Sequence, residues 1–255
     1  MHPDWIVPDW PVGARVGALL TSRNGGFSAG PFAGSDGGGL NLRFDPADDP
    51  AAVVANRALL DSFLPAKPVW LQQVHGTTVI DAGRWTAEGS TAVADAAYTT
   101  ERGVVCAVQT ADCMAVLFCD RQGTAVAVAH AGWRGLAAGV LENTVSAMPV
   151  PPQDLLAYLG PAIGPCAFEV GQDVLDAFEK TAGGAAQDDS MPAFVEHKPG
   201  KWLANLEVLA RRRLTSVGIG AIYGGGRCTV SEPDHFYSFR RDHLTGRMAA
   251  LIWLI

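Results

Sequence analysis

Three runs in the middle of the chain decide how it folds: Val104-Val-Cys-Ala-Val-Gln109, Met114-Ala-Val-Leu-Phe-Cys119 and Thr124-Ala-Val-Ala-Val-Ala-His130. Each is short, rich in β-branched and small apolar residues, and bounded by polar or glycine-containing turns. Runs that are apolar on both alternating faces fit strands buried on both sides. Outward from this block, strands are expected over residues 12–21, 155–159, 221–223, 235–240 and 248–254, and over 69–81 with a break at His75-Gly76. Helices are expected over 47–64, opened by Asp45-Pro46 and closed by Pro65, and over 136–148, 170–181 and 202–217. The last of these ends in Arg211-Arg212-Arg213, a cluster expected to complement the helix dipole and face solvent. Residues 83–93 and 183–200 read as loop. Strands and helices mix without strict βαβ alternation, which favours an α+β domain with mixed β-sheets flanked by helices over a doubly wound fold. No repeat, low-complexity tract or linker divides residues 1–255, so one domain is expected.

Composition narrows the function. With 255 residues the core is large enough to need no disulfide or metal for support. Apolar residues make up 48% and charged residues 18%, a globular balance that excludes a disordered chain. The net charge of −7, without Lys/Arg runs, argues against nucleic acid as a partner. No window approaches 18 uninterrupted apolar residues, so no membrane span is expected. The start, Met1-His-Pro-Asp-Trp5, has neither the basic nor the apolar region of an export signal. Five cysteines, Cys106, Cys113, Cys119, Cys166 and Cys228, are an odd number and widely spread. They read as reduced thiols in a cytoplasmic protein, any special one being catalytic or a metal ligand.

No phosphate-binding P-loop, H-E-x-x-H or G-x-S-x-G is present, so the chemistry must come from dispersed residues. His75 in Leu71-Gln-Gln-Val-His-Gly76 and His130 in His130-Ala-Gly-Trp-Arg-Gly135 each stand before a glycine at the end of an apolar run. Between them lies Thr110-Ala-Asp-Cys-Met114. Two imidazoles and one thiolate suit zinc with a fourth position open for water or substrate. Taken singly, each histidine reads equally as a hydrogen-bonded core residue and Cys113 as an inert thiol.

These segments, with Thr21-Ser-Arg-Asn-Gly-Gly-Phe-Ser28, Leu40-Asn-Leu42, Gly160-Pro-Ala-Ile-Gly-Pro-Cys166, Phe236-Tyr-Ser-Phe-Arg-Arg241 and Thr245-Gly-Arg-Met-Ala-Ala-Leu-Ile-Trp253, resemble the YfiH-like family from end to end. It is also called the laccase-domain or multicopper polyphenol oxidase family. The resemblance implies one α+β domain, a zinc site at His75, Cys113 and His130, phosphorolysis of adenosine, inosine and methylthioadenosine, and deamination of adenosine. Some members are described instead as peptidoglycan editing factors that remove misincorporated serine from cell-wall precursors. The chain departs from the pattern at Leu203-Ala-Asn-Leu206, where Leu-Asp-Leu is usual, at Arg241-Asp-His243 in place of Arg-Asp-Gly, and in an apparent small insertion at 34–39.

Six histidines cannot serve both a blue-copper centre and the trinuclear cluster of a laccase, which needs on the order of eight more. Four-copper oxidase chemistry is therefore rejected, while a single copper in the zinc site stays open. Deamination needs a carboxylate to move the proton, and Asp112 adjoins a ligand. In a plain strand Asp112 and Cys113 would face opposite ways, so a turn or bulge is required there; a purely hydrogen-bonding Asp112 is the competing reading. Phosphate as co-substrate needs an anion site. Gly132-Trp133-Arg134-Gly135 at a strand-to-helix junction, and Arg23 in the glycine-rich loop 22–39, are the candidates. Asn41 and Gln73 are candidates for bonding ribose hydroxyls or purine edges, and Cys166 for lining the pocket or lying buried and inert. Loop 22–39 is either a disordered excursion or a cover over the site. A cysteine hydrolase with Cys113 as nucleophile, and a non-catalytic metal-binding module, remain as alternatives.

Overall fold

A computed structural model describes residues 1–85, 91–180 and 191–255. In chain order the elements are β1 (Val16–Leu20), β2 (Asn24–Ser28), α1 (Pro50–Asp61), β3 (Leu71–Gln72), β4 (Val79–Asp81), β5 (Ala92–Val93), β6 (Ala96–Thr99) and β7 (Val105–Thr110). There follow β8 (Met114–Asp120), β9 (Val126–Ala131), α2 (Trp133–Ala138), α3 (Val140–Ala147), β10 (Leu155–Leu159), β11 (Glu169–Gly171) and α4 (Gln172–Glu179). The chain ends with β12 (Phe194–Lys198), β13 (Lys201–Ala204), α5 (Leu206–Ser216), β14 (Ala221–Gly224), α6 (Phe239–Asp242) and β15 (Met248–Leu254).

The central sheet has six strands in the order β14-β10-β8-β9-β6-β4. It is mixed: β10, β8, β9 and β6 pair antiparallel, while β14 and β4 add in parallel at the two edges. A second, antiparallel sheet, β1-β15-β7, lies against it. The alternation along β8 explains why its sequence is apolar throughout. Met114, Val116 and Phe118 join one core with Leu136 and Leu141 of the helical layer. Ala115, Leu117 and Cys119 join another with Val108 of β7 and Ile252 of β15. A strand covered on both faces has no polar side to show. Each fully buried aliphatic side chain contributes about 1.5–3 kcal/mol. The fold is thus the expected single-domain α+β arrangement with mixed sheets flanked by helices. Among the described residues no helix is long and apolar enough to cross a membrane.

Several local expectations need correction. Residues 202–204 are not helical: Trp202 pairs with Val170 in a sheet, and the Asn205 side chain accepts from Val208 N to start the helix at Leu206. Asn205 thus supplies the N-cap at one position where the chain departs from its resemblance. Residues 235–240 form no strand; Phe236 and Tyr237 are buried through their side chains, and Ser238 caps α6. The helix expected over 136–148 starts at Trp133 and breaks at Gly139, whose φ of 100° only glycine adopts freely. Asp49, not Asp45, caps α1. Part of the loop expected over 183–200 is strand β12, while 181–190, like 86–90 of the loop 83–93, lie outside the described residues. The glycine-rich stretch 22–39 contains β2 and a 3₁₀ turn, and its Asn24 bonds Asp4, Asp234 and Ser35. The arginine cluster does more than face solvent. Arg211 binds Glu207 and the carbonyls of Ile222 and Gly224, and Arg213 binds Glu142 and the carbonyl of Ala137.

A candidate metal centre beneath a cationic cavity

Three chain segments meet at one end of the central sheet. β9 carries His130 next to its last residue, the β7–β8 connection carries Asp112 and Cys113, and the turn after β3 carries His75. The β7–β8 connection crosses from one sheet to the other within three residues. Asp112 bends it with φ 85°, and this is the turn that an inward-facing Cys113 requires. His75 also has a positive φ, of 60°. Such backbone costs about 1–3 kcal/mol per residue and persists only where the surroundings enforce it.

What enforces it at His75 is Asp95, a residue that sequence reading passed over. Its carboxylate accepts the backbone N–H of Val74 (3.1 Å), His75 (2.9 Å) and Gly76 (2.7 Å), and that of the His130 ring through Nδ1 (2.8 Å). One fully buried carboxylate therefore holds both histidine segments. The signal was faint: a single acid in the apolar stretch Ala92-Val-Ala-Asp-Ala-Ala97.

His75, Cys113 and His130 converge, with one ligand atom from each lying within 4.8 Å of the others. His75 Nε2 is 3.8 Å from Cys113 Sγ. A tetrahedral zinc with usual bond lengths separates a sulfur and a nitrogen ligand by about 3.5 Å, so the donor set fits after a small contraction. His130, bonded to Asp95 through Nδ1, keeps Nε2 as its ligand atom, the arrangement that fixes ring and tautomer at metal sites. Burial pushes the Cys113 thiol up, but bonds from His130 and His75 outweigh it and bring the thiol down to about 6. Burial pulls His130 down, while Asp95 and Cys113 raise it further than burial lowers it. The pair thus favours thiolate and imidazolium. Gly132 is needed here, since a Cβ at that position would sit 2.8 Å from Cys113 Sγ and 2.9 Å from His75 Cδ2. Among the described residues no other group of three such side chains gathers.

The triad opens into a cavity of about 620 Å³. Four arginines line it, Arg43, Arg134, Arg240 and Arg247, against the single carboxylate of Asp112. Trp133, Phe168 and Phe239 supply aromatic wall. Asp112 accepts from Thr229 Oγ1 and from Arg240 N, both at 2.6 Å.

The expected substrate contacts divide. Arg134 and Gln73 line the cavity, Arg134 with its guanidinium 4.3 Å from the Trp133 ring centre. Gln73, however, spends its amide on the backbone of Gln109, as donor and as acceptor. Arg23 is not brought to the cavity: it donates to the carbonyls of Ala33 and Pro233 and lies over Tyr237. Asn41 is fully buried among Arg43, Asp48 and Arg247. The stretch 22–39, with the insertion at 34–39, contributes nothing to the lining. Cys166 is exposed and lies outside the lining. Arg43, Gln109, Arg240 and Arg247 line the cavity without having been expected, because each lies in a segment whose route to the cavity only the fold reveals.

Residues 17–255 match the family described as multi-copper polyphenol oxidoreductase laccase. The chain is 50% identical to a purine nucleoside phosphorylase of Pseudomonas aeruginosa over 251 residues, covering 98% of each. It is 50% identical to the purine nucleoside phosphorylase YfiH of Escherichia coli over 253 residues, again covering 98% of each. Among solved structures, a Neisseria meningitidis protein superimposes with a TM-score of 0.89 at 51% identity, over 98% of this chain and 99% of that one. The chain belongs to this laccase-like family, alongside the YfiH proteins.

Proposed function

We propose that the protein is a zinc-dependent purine nucleoside enzyme that phosphorolyses adenosine, inosine and methylthioadenosine and deaminates adenosine. The observation that carries this reading is the His75–Cys113–His130 triad at the base of a cavity walled by arginines and aromatic rings. Relatives matched over nearly their whole length and named purine nucleoside phosphorylase support it. The acting partners are a small nucleoside and phosphate, and the setting is the cytoplasm.

His75, Cys113 and His130 would hold the zinc; a single copper fits the same N/S donors. When bound, zinc supplies Lewis acidity and a water of lowered pKa. Trp133, Phe168 and Phe239 offer apolar faces for the purine. In phosphorolysis a phosphate oxygen forms a bond to ribose C1′ while the bond from C1′ to the base breaks, and the base leaves with a proton. Positive charge on the cavity wall steadies the incoming anion. In deamination Asp112 is the residue proposed to move the proton: a carboxylate has about four acceptor positions, and the bonds from Thr229 and Arg240 leave about two of them open.

A second reading has its own observation. The thiolate-favouring Cys113 beside His130 is a nucleophile–base pair suited to amide hydrolysis, as in editing of serine-containing cell-wall precursors. Zinc on Cys113 disfavours it, because a metal-bound thiolate is a poorer nucleophile. The deciding experiment follows adenosine by chromatography with and without phosphate. Adenine and ribose 1-phosphate are expected only with phosphate, and inosine in both. No nucleoside consumption together with cleavage of a serine-containing precursor would overturn the proposal.

A further inference from the structure

Arg43 and Arg247 are 204 positions apart in the chain, yet one side chain ties them together. Both backbone N–H groups donate to Asn41 Oδ1, Arg43 at 3.1 Å and Arg247 at 2.9 Å. Leu42 N donates to Arg247 O at 3.1 Å, which locks the two strands of chain in register. Asn41 is itself fully buried, and its Nδ2 donates to Arg43 O and to Asp48. Both arginines line the cavity over the triad. Among the described residues neither guanidinium has a carboxylate within ion-pair distance. Arg247 uses Nη1 on the carbonyls of Thr245 and Gly246, and among the described residues the Arg43 side chain makes no hydrogen bond.

Two arginines held at a common wall, neither of them in an ion pair among the described residues, repel each other and raise the cost of burial. In Arg247 burial weakens the charged form first and the neighbouring Arg43 second, while Cys113, Asp112 and Asp45 favour it. Arg247 therefore lies within electrostatic reach of both Arg43 and the triad. In a chain of net charge −7 this local excess of positive charge favours an anion at the cavity wall. The strand-to-helix junction at Gly132 is a weaker anion seat, because α2 has only six residues to contribute a dipole.

We infer that Arg43 and Arg247, tethered through Asn41, form a subsite for a phosphoryl oxyanion beside the metal ligands. Paired guanidinium forks match tetrahedral oxyanions in shape as well as charge. The choice of phosphoryl over carboxylate rests on the phosphorolysis reading above. The oxyanion belongs either to inorganic phosphate or to the phosphate of a nucleotide. Asn41, expected to touch the nucleoside, acts in this view as a positioning residue for the two cations.

Calorimetric titration of the purified protein with inorganic phosphate, and separately with adenosine 5′-monophosphate, tests the subsite without turnover. Arg43 is exposed, so Arg43→Gln keeps the fold, which its melting curve verifies; Arg247→Lys is the second variant. Each is expected to weaken phosphate binding by roughly 10- to 150-fold, the value of a charge-assisted bond, while adenosine binding stays as in the wild type. Arg134→Ala is expected to have a much smaller effect. Loss confined to the nucleotide, with inorganic phosphate not bound at all, supports the subsite and assigns the oxyanion to the nucleotide. Wild-type phosphate affinity in both variants, loss only in Arg134→Ala, or no binding of either probe to the wild type overturns it. Phosphate held through Arg43 with no nucleoside turned over leaves the subsite standing and refutes the phosphorolysis reading instead.

Discussion

Asp95 Oδ1 lies 2.8 Å from His130 Nδ1, and the same carboxylate accepts three successive backbone N–H groups at Val74, His75 and Gly76. Two of the three metal-type ligands are thus held by a residue that is no ligand. Replacement of a partner of this kind costs about 10- to 100-fold in metal affinity. Asp95→Asn keeps the shape and loses the charge, so zinc affinity measured by chelator competition should fall by that amount. An unchanged affinity would mean that packing alone orients His130.

The same residue sets a pH dependence. Burial raises the Asp95 carboxyl, but the bonds from His130 and from the Gly76 and Val74 amides outweigh it and hold it below its ordinary 3.8. A depressed carboxyl stabilises the fold above its unfolded value and ceases to do so as pH falls through the folded one. His130, raised in the fold, stays charged in both states across this acid range and adds no slope there. In urea titrations of metal-free protein, the stability gap between wild type and Asp95→Asn should be full at pH 5 and shrink toward pH 3. A gap independent of pH would contradict the assignment.

Cys113 should stand apart from the buried thiols. Its thiol is brought to about 6, whereas burial pushes those of Cys106 and Cys119 upward. In metal-free protein, iodoacetamide should modify Cys113 at a rate that rises through about pH 6 and then levels, with Cys106 and Cys119 unreactive. Added zinc should protect Cys113, and Cys113→Ala should lose the bound zinc. Mass spectrometry of the modified peptides reads both results.

Gly132→Ala tests how tightly the centre is packed. The added methyl meets Cys113 Sγ and His75 Cδ2 inside normal contact, so the ligands must move apart. Metal affinity should drop while the melting temperature changes little, since the site lies at the end of the sheet. For contrast, Leu117→Ala removes a fully buried side chain between the two sheets and should cost about 2–5 kcal/mol in denaturant unfolding, with little effect on metal affinity.

By itself the sequence determined the layers and pointed to the three side chains that converge at the end of the sheet. The doubly apolar runs at 104–109, 114–119 and 124–130 became β7, β8 and β9, because a strand hidden on both faces must be apolar on both. The residue types and glycine-marked positions of His75, Cys113 and His130 were legible for a related reason: strand ends with tight turns are where side chains leave a sheet together. The short aromatic run at 235–240 and the Trp202-Leu203 pair were misread, because brief apolar stretches carry no period and their fate depends on what packs against them. Only the tertiary structure decided that Asp95 would clamp both histidine segments. It also decided that Arg23 and Asn41 would be spent inside the fold, and that Arg43 and Arg247, 204 positions apart, would share one cavity wall. Hydrogen-bond partners distant in sequence leave no local pattern: which carboxylate or amide a buried N–H finds is fixed by the crossing of sheets, not by its neighbours along the chain.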